Sequence, residues 1–134
     1  MEPHQVLIAE DESMLRVVAA EMLEEAGFRV FQAGDGAEAL ALLKIHHGIA
    51  LLISDIKMPG MGGYALAEAA VGFKPDLKLL MMTGYSAEPR PPALEDRHVR
   101  ILRKPFNLDR LCELTQAMIR GPESERPEAD CAMA

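Results

Sequence analysis

Tryptophan is absent from this chain and aromatic residues make up only 4% of it. Any core must therefore be filled by aliphatic side chains and methionine. There are two cysteines, Cys112 and Cys131. They stand in no metal-ligand spacing, one inside a helical pattern and one in a polar stretch, which fits reduced thiols in a cytoplasm. No segment approaches the ~20 apolar residues of a membrane span; the best core run is 49–53. The opening Met1-Glu2-Pro3-His4 has neither the basic start nor the long apolar run of a secretory leader. A basic excess is missing too: 14 Lys and Arg face 21 Asp and Glu, a formal charge of −7. That excludes the basic footprint of a non-specific nucleic-acid binder. What is present, 134 residues at 49% hydrophobic, suits one domain that buries a single core without staples.

Apolar runs alternate with helical patterns along the chain. Gln5–Ala9 reads as a strand that ends at Glu10-Asp11-Glu12. Ser13 is placed to cap a helix with apolar positions Leu15, Val18, Met22 and Ala26, stopped by Gly27 in a left-handed conformation. Arg29–Ala33 is a second strand, and Asp35-Gly36 opens a helix carrying Ala39, Leu40, Leu42 and Leu43. Residues 49–54 read as a strand, apolar at nearly every position, the mark of a central parallel strand buried on both faces, ending at Asp55. A turn with Pro59, Gly60, Gly62 and Gly63 leads to a helix over 65–71. Residues 77–82 form a fourth strand before Thr83-Gly84, and Val99–Arg103 a fifth before Lys104-Pro105. Asn107 is placed to cap a last helix carrying Leu108, Leu111, Leu114 and Met118. Strands alternating with helices predict an α/β fold with a doubly wound, five-stranded parallel sheet. Pro89, Pro91 and Pro92 allow at most a short, weak fourth helix between the last two strands, starting no earlier than Pro92. Residues 4–120 are expected to fold as one domain, and the acidic 121–134 to be a disordered tail.

In open parallel sheets, ligands bind beyond the carboxyl ends of the strands. Glu10, Asp11, Asp55, Thr83 and Lys104 all stand there. Converging carboxylates repel unless a cation offsets them. A hard divalent ion such as Mg²⁺ and the Lys104 ammonium are the two available remedies. Such a pocket suits a phosphoryl group. A carboxylate attacks phosphorus to give an acyl phosphate, the cations offset charge on the transferred oxygens, and the Thr83 hydroxyl donates to one of them. Singly, each residue has an ordinary explanation as a cap, a strand end or a surface lysine. Their succession at the ends of consecutive strands has none.

Glu10-Asp11, Asp55 with Met58-Pro59-Gly60, Thr83-Gly84 and Lys104-Pro105-Phe106 resemble, in order and spacing, the receiver domain of bacterial two-component response regulators. The resemblance implies a flavodoxin-like sheet in the order 2-1-3-4-5. It implies Asp55 as phosphoacceptor, charged by a sensor histidine kinase or a histidine phosphotransferase. It implies Mg²⁺ held by Asp11 and Asp55, by Glu10 through water and by the Lys57 backbone carbonyl. Thr83 and Lys104 would contact the phosphoryl group, and Lys104-Pro105 would be cis. Some residues depart from the usual pattern. Glu10 stands where Asp is commoner, Gly62 where Asp is frequent, and Ile101 where many receivers carry a switching Tyr or Phe. Tyr85 in Thr83-Gly84-Tyr85 is similar to a Thr-Gly-Tyr subclass common among alphaproteobacterial stand-alone receivers, and a switching or gating role is expected of it.

The expected function is thus a single-domain, cytoplasmic, monomeric response regulator. It would be phosphorylated on Asp55 and catalyse only its own phosphorylation and dephosphorylation. It would signal through an unknown downstream protein or a phosphorelay, without touching nucleic acid or membrane. Two alternatives remain. One is a phosphorylation-independent interaction domain. The other is an aspartyl-nucleophile phosphatase, disfavoured because Asp55-Ile56-Lys57 has lysine where the second, general-acid Asp is needed.

Overall fold

The computed structural model describes residues 3–84, 91–94 and 99–120. Strands β1 (Gln5–Ala9), β2 (Arg29–Ala33), β3 (Ile49–Asp55), β4 (Lys78–Thr83) and β5 (Val99–Arg103) form one sheet in the order 2-1-3-4-5. Every neighbouring pair is parallel. Helices α1 (Ser13–Glu25), α2 (Gly36–Ile45) and α3 (Gly63–Phe73) are crossovers between successive strands, α4 (Leu108–Arg120) follows β5, and together they cover both faces. This is the doubly wound arrangement the alternating pattern predicts. Between β4 and β5, the described residues hold only a 3-10 turn, Pro92–Leu94, as the prolines require. Tyr85, with residues 86–90, 95–98 and 121–134, lies outside the described residues.

The two-residue period of a strand splits the core. Leu7, Leu52, Leu79 and Met81 point toward Ala39, Leu43, Leu66, Ala67 and Ala70 of α2 and α3. Val6, Ile8, Leu51, Ile53, Leu80 and Met82 point toward Ala19, Ala20 and Leu23 of α1 and Leu111, Leu114 and Met118 of α4. Each fully buried aliphatic side chain contributes about 1.5–3 kcal/mol. β3, in mid-sheet, is fed from both layers, which is why its sequence is apolar at nearly every position. A register shift against β1 takes the pairing from Gln5↔Ile49 to Val6↔Leu51, so that Ala9 ends opposite Ser54 and Asp55 lies just beyond.

α1 differs from expectation in two respects. Its N-cap is Glu12, not Ser13, and makes no side-chain capping bond. Its buried face is Ala19, Ala20 and Leu23, whereas Leu15 and Met22 are half-buried and Val18 and Ala26 are exposed. The helix is apolar almost all round, so periodicity fits two neighbouring stripes. Small alanines let the backbone lie close to the sheet and win over the bulkier Val17 and Val18, both 41% exposed. The stop signal holds: Gly27 has φ 104°, and the Phe28 N–H bonds back to the Leu23 carbonyl at 3.1 Å, closing a Schellman turn. Asn107 caps α4 as expected, its Oδ1 accepting from the Asp109 N–H at 2.7 Å. Among the described residues no helix is long and apolar enough to cross a membrane.

Candidate functional site

Backbone bonds just past the strands fix the site. The Glu10 N–H donates to the Ala33 carbonyl at 3.0 Å, Ile56 N–H to Met82 at 2.9 Å, and Lys104 N–H to Thr83 at 2.7 Å. Glu10, Asp55, Thr83 and Lys104 are therefore held at one end of the sheet by the ladder itself. The Lys104-Pro105 peptide is cis.

Lys104 organises the carboxylates. Its Nζ lies 2.9 Å from Glu10 Oε1 and 3.0 Å from Asp55 Oδ2. The other Glu10 oxygen, Oε2, accepts from the Glu12 N–H at 3.0 Å, and Asp55 Oδ1 accepts from the Lys57 N–H at 3.3 Å. Glu10 is 1% exposed, Asp55 7% and Thr83 5%, while Asp11 is exposed. One carboxylate oxygen from each of Glu10, Asp11 and Asp55 lies within 4.8 Å of the others. Ionised, the three acids carry two more negative charges than the single ammonium offsets, and their oxygens are hard donors. The cluster thus suits a divalent ion such as Mg²⁺.

The charges push on one another. Burial raises the Glu10 carboxyl above the ordinary glutamate value, and the Asp55 charge adds to this. The Glu12 N–H and Lys104 only partly compensate. For Lys104 burial pulls the other way, but hydrogen bonds and charge attraction from Glu10 and Asp55 outweigh it and hold the ammonium above the ordinary lysine value.

The loop after Asp55 is seated by glycine. A Cβ on Gly63 would lie 2.3 Å from the Asp55 carbonyl oxygen, and the Gly63 N–H donates to the Ile56 carbonyl at 2.8 Å. A Cβ on Gly36 would meet the Met61 carbonyl oxygen at 2.7 Å. α2 and α3 therefore close on this loop only because both positions lack side chains. Beside Lys104, a cavity of about 460 Å³ is lined by Leu15, Gly84, Lys104, Pro105 and Phe106. Met14, 78% exposed, and Val17 are apolar residues of α1 left open to solvent.

Glu10, Asp11, Asp55, Thr83 and Lys104 are thus placed at one end of the sheet, as their sequence positions suggest. Lys57 comes near Asp55 through its N–H. Ile101 is 40% exposed on β5, and Tyr85 lies outside the described residues. Two residues escaped the sequence reading. Gly63 could have been suspected from the glycine density after Asp55. Arg16, whose guanidinium reaches the Glu10 carbonyl, carried only one signal, its place one helical turn after the acid run.

Fold and site together define a class, the doubly wound α/β signalling modules with an acidic pocket at the carboxyl end of the sheet. The model of the response regulator receiver domain matches residues 6–116, and the chain belongs to that family. It is 35% identical to the response regulator receiver protein CpdR of Brucella abortus over 116 residues, 86% of this chain and 96% of that one. It is 36% identical to the C4-dicarboxylate transport transcriptional regulatory protein DctD of Rhizobium meliloti over 90% of this chain, but spans only 26% of that longer protein. Its structure is similar to the receiver domain of the hybrid histidine kinase CckA, with TM-score 0.71 and 32% identity, over 84% of this chain and 95% of that one. Receiver domains bind Mg²⁺ at an acidic pocket and interact with histidine kinases or phosphotransferases.

Proposed function

We propose that Asp55 accepts a phosphoryl group from a histidine of a sensor kinase or phosphotransferase, and that the phosphorylated chain acts by protein contact or by passing the group to another histidine. The observation that carries this reading is the Lys104 ammonium, shared between Asp55 Oδ2 at 3.0 Å and Glu10 Oε1 at 2.9 Å. It stands where negative charge must be offset when a phosphoryl group arrives.

Asp11 and Asp55 would hold Mg²⁺ directly, with Glu10 through water and the Lys57 carbonyl completing the protein ligands. The ion, when bound, offsets charge on the phosphoryl oxygens. A carboxylate oxygen of Asp55 attacks phosphorus, and the P–N bond of the phosphohistidine breaks with its electrons returning to the imidazole nitrogen. Lys104 moves from Asp55 Oδ2 to a phosphoryl oxygen, and the Thr83 hydroxyl donates to another. Leu15, which lines the cavity with Lys104 and Phe106, and the exposed Met14 and Val17 of the same helix offer apolar surface for the donor protein. Tyr85 and the Pro89-to-Pro92 segment are the proposed readout of phosphorylation, because Ile101, at the usual switch position, cannot perform an aromatic rotation. Incubation with phosphoramidate and Mg²⁺ tests the reading. Wild type acquires an alkali-labile label and Asp55→Asn does not; equal labelling of both overturns it.

A further inference from the structure

We propose that Arg16 is a positioning residue for the acid pair. Its guanidinium, reaching back from α1, holds the Glu10 main chain so that Glu10 and Asp11 face Asp55, and thereby sets the affinity of the site for a divalent cation. The proposal rests on the reading of the site given above.

Glu10 is tied at each of its polar groups. Its N–H bonds to the Ala33 carbonyl at 3.0 Å, its Oε2 accepts from the Glu12 N–H at 3.0 Å, and its Oε1 accepts from Lys104 at 2.9 Å. Its carbonyl oxygen accepts from Arg16 Nη1 at 2.8 Å. A charge-assisted bond of this length is among the stronger kinds. Side chains on a helix lean toward its N-terminus, so a residue one turn into α1 is the one whose long side chain returns to the strand end. The second prong of the fork, Nε, donates to Gln32 Oε1 on β2 at 3.3 Å. Arg16 therefore spans from α1 to the neighbouring ends of β1 and β2, and these two donors go to a carbonyl and an amide.

Two further features fit a built contact. The N-cap residue of α1, Glu12, makes no side-chain capping bond, so it anchors the segment entering the helix through its main chain alone. Gly34 leaves room for the fork, since a Cβ there would stand 3.3 Å from Arg16 Nη1. Its own N–H is engaged by Glu38 Oε1 at 2.8 Å. Such outer contacts aim the ligating carboxylates, and their loss typically costs about 10–100-fold in metal affinity.

The test titrates the whole chain with Mn²⁺ and Mg²⁺, following bound ion by electron paramagnetic resonance and backbone amides by NMR. Arg16→Met, which keeps the apolar stem, weakens both ions by at least about tenfold. Its metal-free amide spectrum stays native away from residues 10–12, where the Glu12 amide exchanges faster. Arg16→Lys, with a single prong, falls between. Binding by Arg16→Met within twofold of wild type overturns the proposal. Should Arg16→Met fail to fold, Arg16→Gln, too short to reach the Glu10 carbonyl from α1, decides: it weakens binding severalfold, and unchanged affinity overturns the proposal. A wild type that binds neither ion removes the reading of the site and this inference with it, whereas wild-type binding that Arg16→Met retains removes this inference alone.

Discussion

Glu10 and Lys104, 94 positions apart, meet at 2.9 Å across the end of the sheet. The pair is unequal: the glutamate is 1% exposed and the lysine side chain 24%. Burial dominates on the acid, so its folded pKa stands above the ordinary 4.5. A raised carboxyl pKa means the fold favours the protonated form. The contribution is full below about 4.5 and is lost as pH rises through the folded value. The difference in stability between metal-free wild type and Glu10→Gln should therefore grow against the wild type as pH rises above 4.5. Lys104, also raised, contributes below 10.5 and loses that contribution only as pH rises through its higher folded value. Urea unfolding of both chains from pH 4 to 7 checks the first sign; parallel curves contradict it.

Lys104→Ala leaves Glu10 and Asp55 facing each other without their ammonium. Breaking a buried ion pair from one side costs about 3–5 kcal/mol, and the partial exposure of Lys104 places this case toward the lower end. Divalent cation then becomes the main compensation, so Mg²⁺ should raise the melting temperature of Lys104→Ala more than that of wild type. An equal or smaller rise would show that the lysine and the ion do not share the same charges. Labelling by a small phosphodonor is expected to survive in this variant, while its response to phosphorylation is impaired.

Two glycines of α3 should respond oppositely to alanine. At Gly63 the new Cβ would stand 2.3 Å from the Asp55 carbonyl oxygen. Backbone on both sides must shift, at a cost of about 1–3 kcal/mol or more, and phosphoryl acceptance should slow. Gly72 lies in the same helix with nothing within 4 Å of its Cβ position. Gly72→Ala should stabilise by about 0.4–1 kcal/mol. Denaturant midpoints at constant slope measure both; similar effects from the two would refute the packing account.

Ile101 is 40% exposed, so Ile101→Ala leaves no sealed cavity. Its cost should fall below the about 2–5 kcal/mol of a fully buried site. Thermal unfolding checks this, with Leu102→Ala, its buried neighbour on β5 at 7% exposure, as the larger reference.

The legible parts of the molecule are those governed by short periods. β5 spans Val99–Arg103 as expected, and the Lys104-Pro105 pair that follows it ends the strand. The convergence of Glu10, Asp11, Asp55, Thr83 and Lys104 follows from parallel strands ending on one side. The buried stripe of α1 was not legible, since Val17, Val18, Ala19 and Ala20 are all apolar and only the closeness of the sheet selects the alanines. Nor was the bond from Lys104 to Glu10: the sequence places both near Asp55 but does not specify how one ammonium divides among three acids. Arg16 resembles any surface arginine until Gly34 and Gln32 are seen beside it. Gly63 is only one glycine of several until the Asp55 carbonyl is found behind it.

The most direct measurement traps the acyl phosphate. Phosphorylation in Mg²⁺, reduction with borohydride and peptide mass spectrometry locate the acceptor, because an aspartyl phosphate is reduced to homoserine. The account predicts that reduction occurs at Asp55 alone and disappears when Mg²⁺ is chelated. Reduction at Asp11, Glu10 or any other acid, or none after labelling, would contradict it.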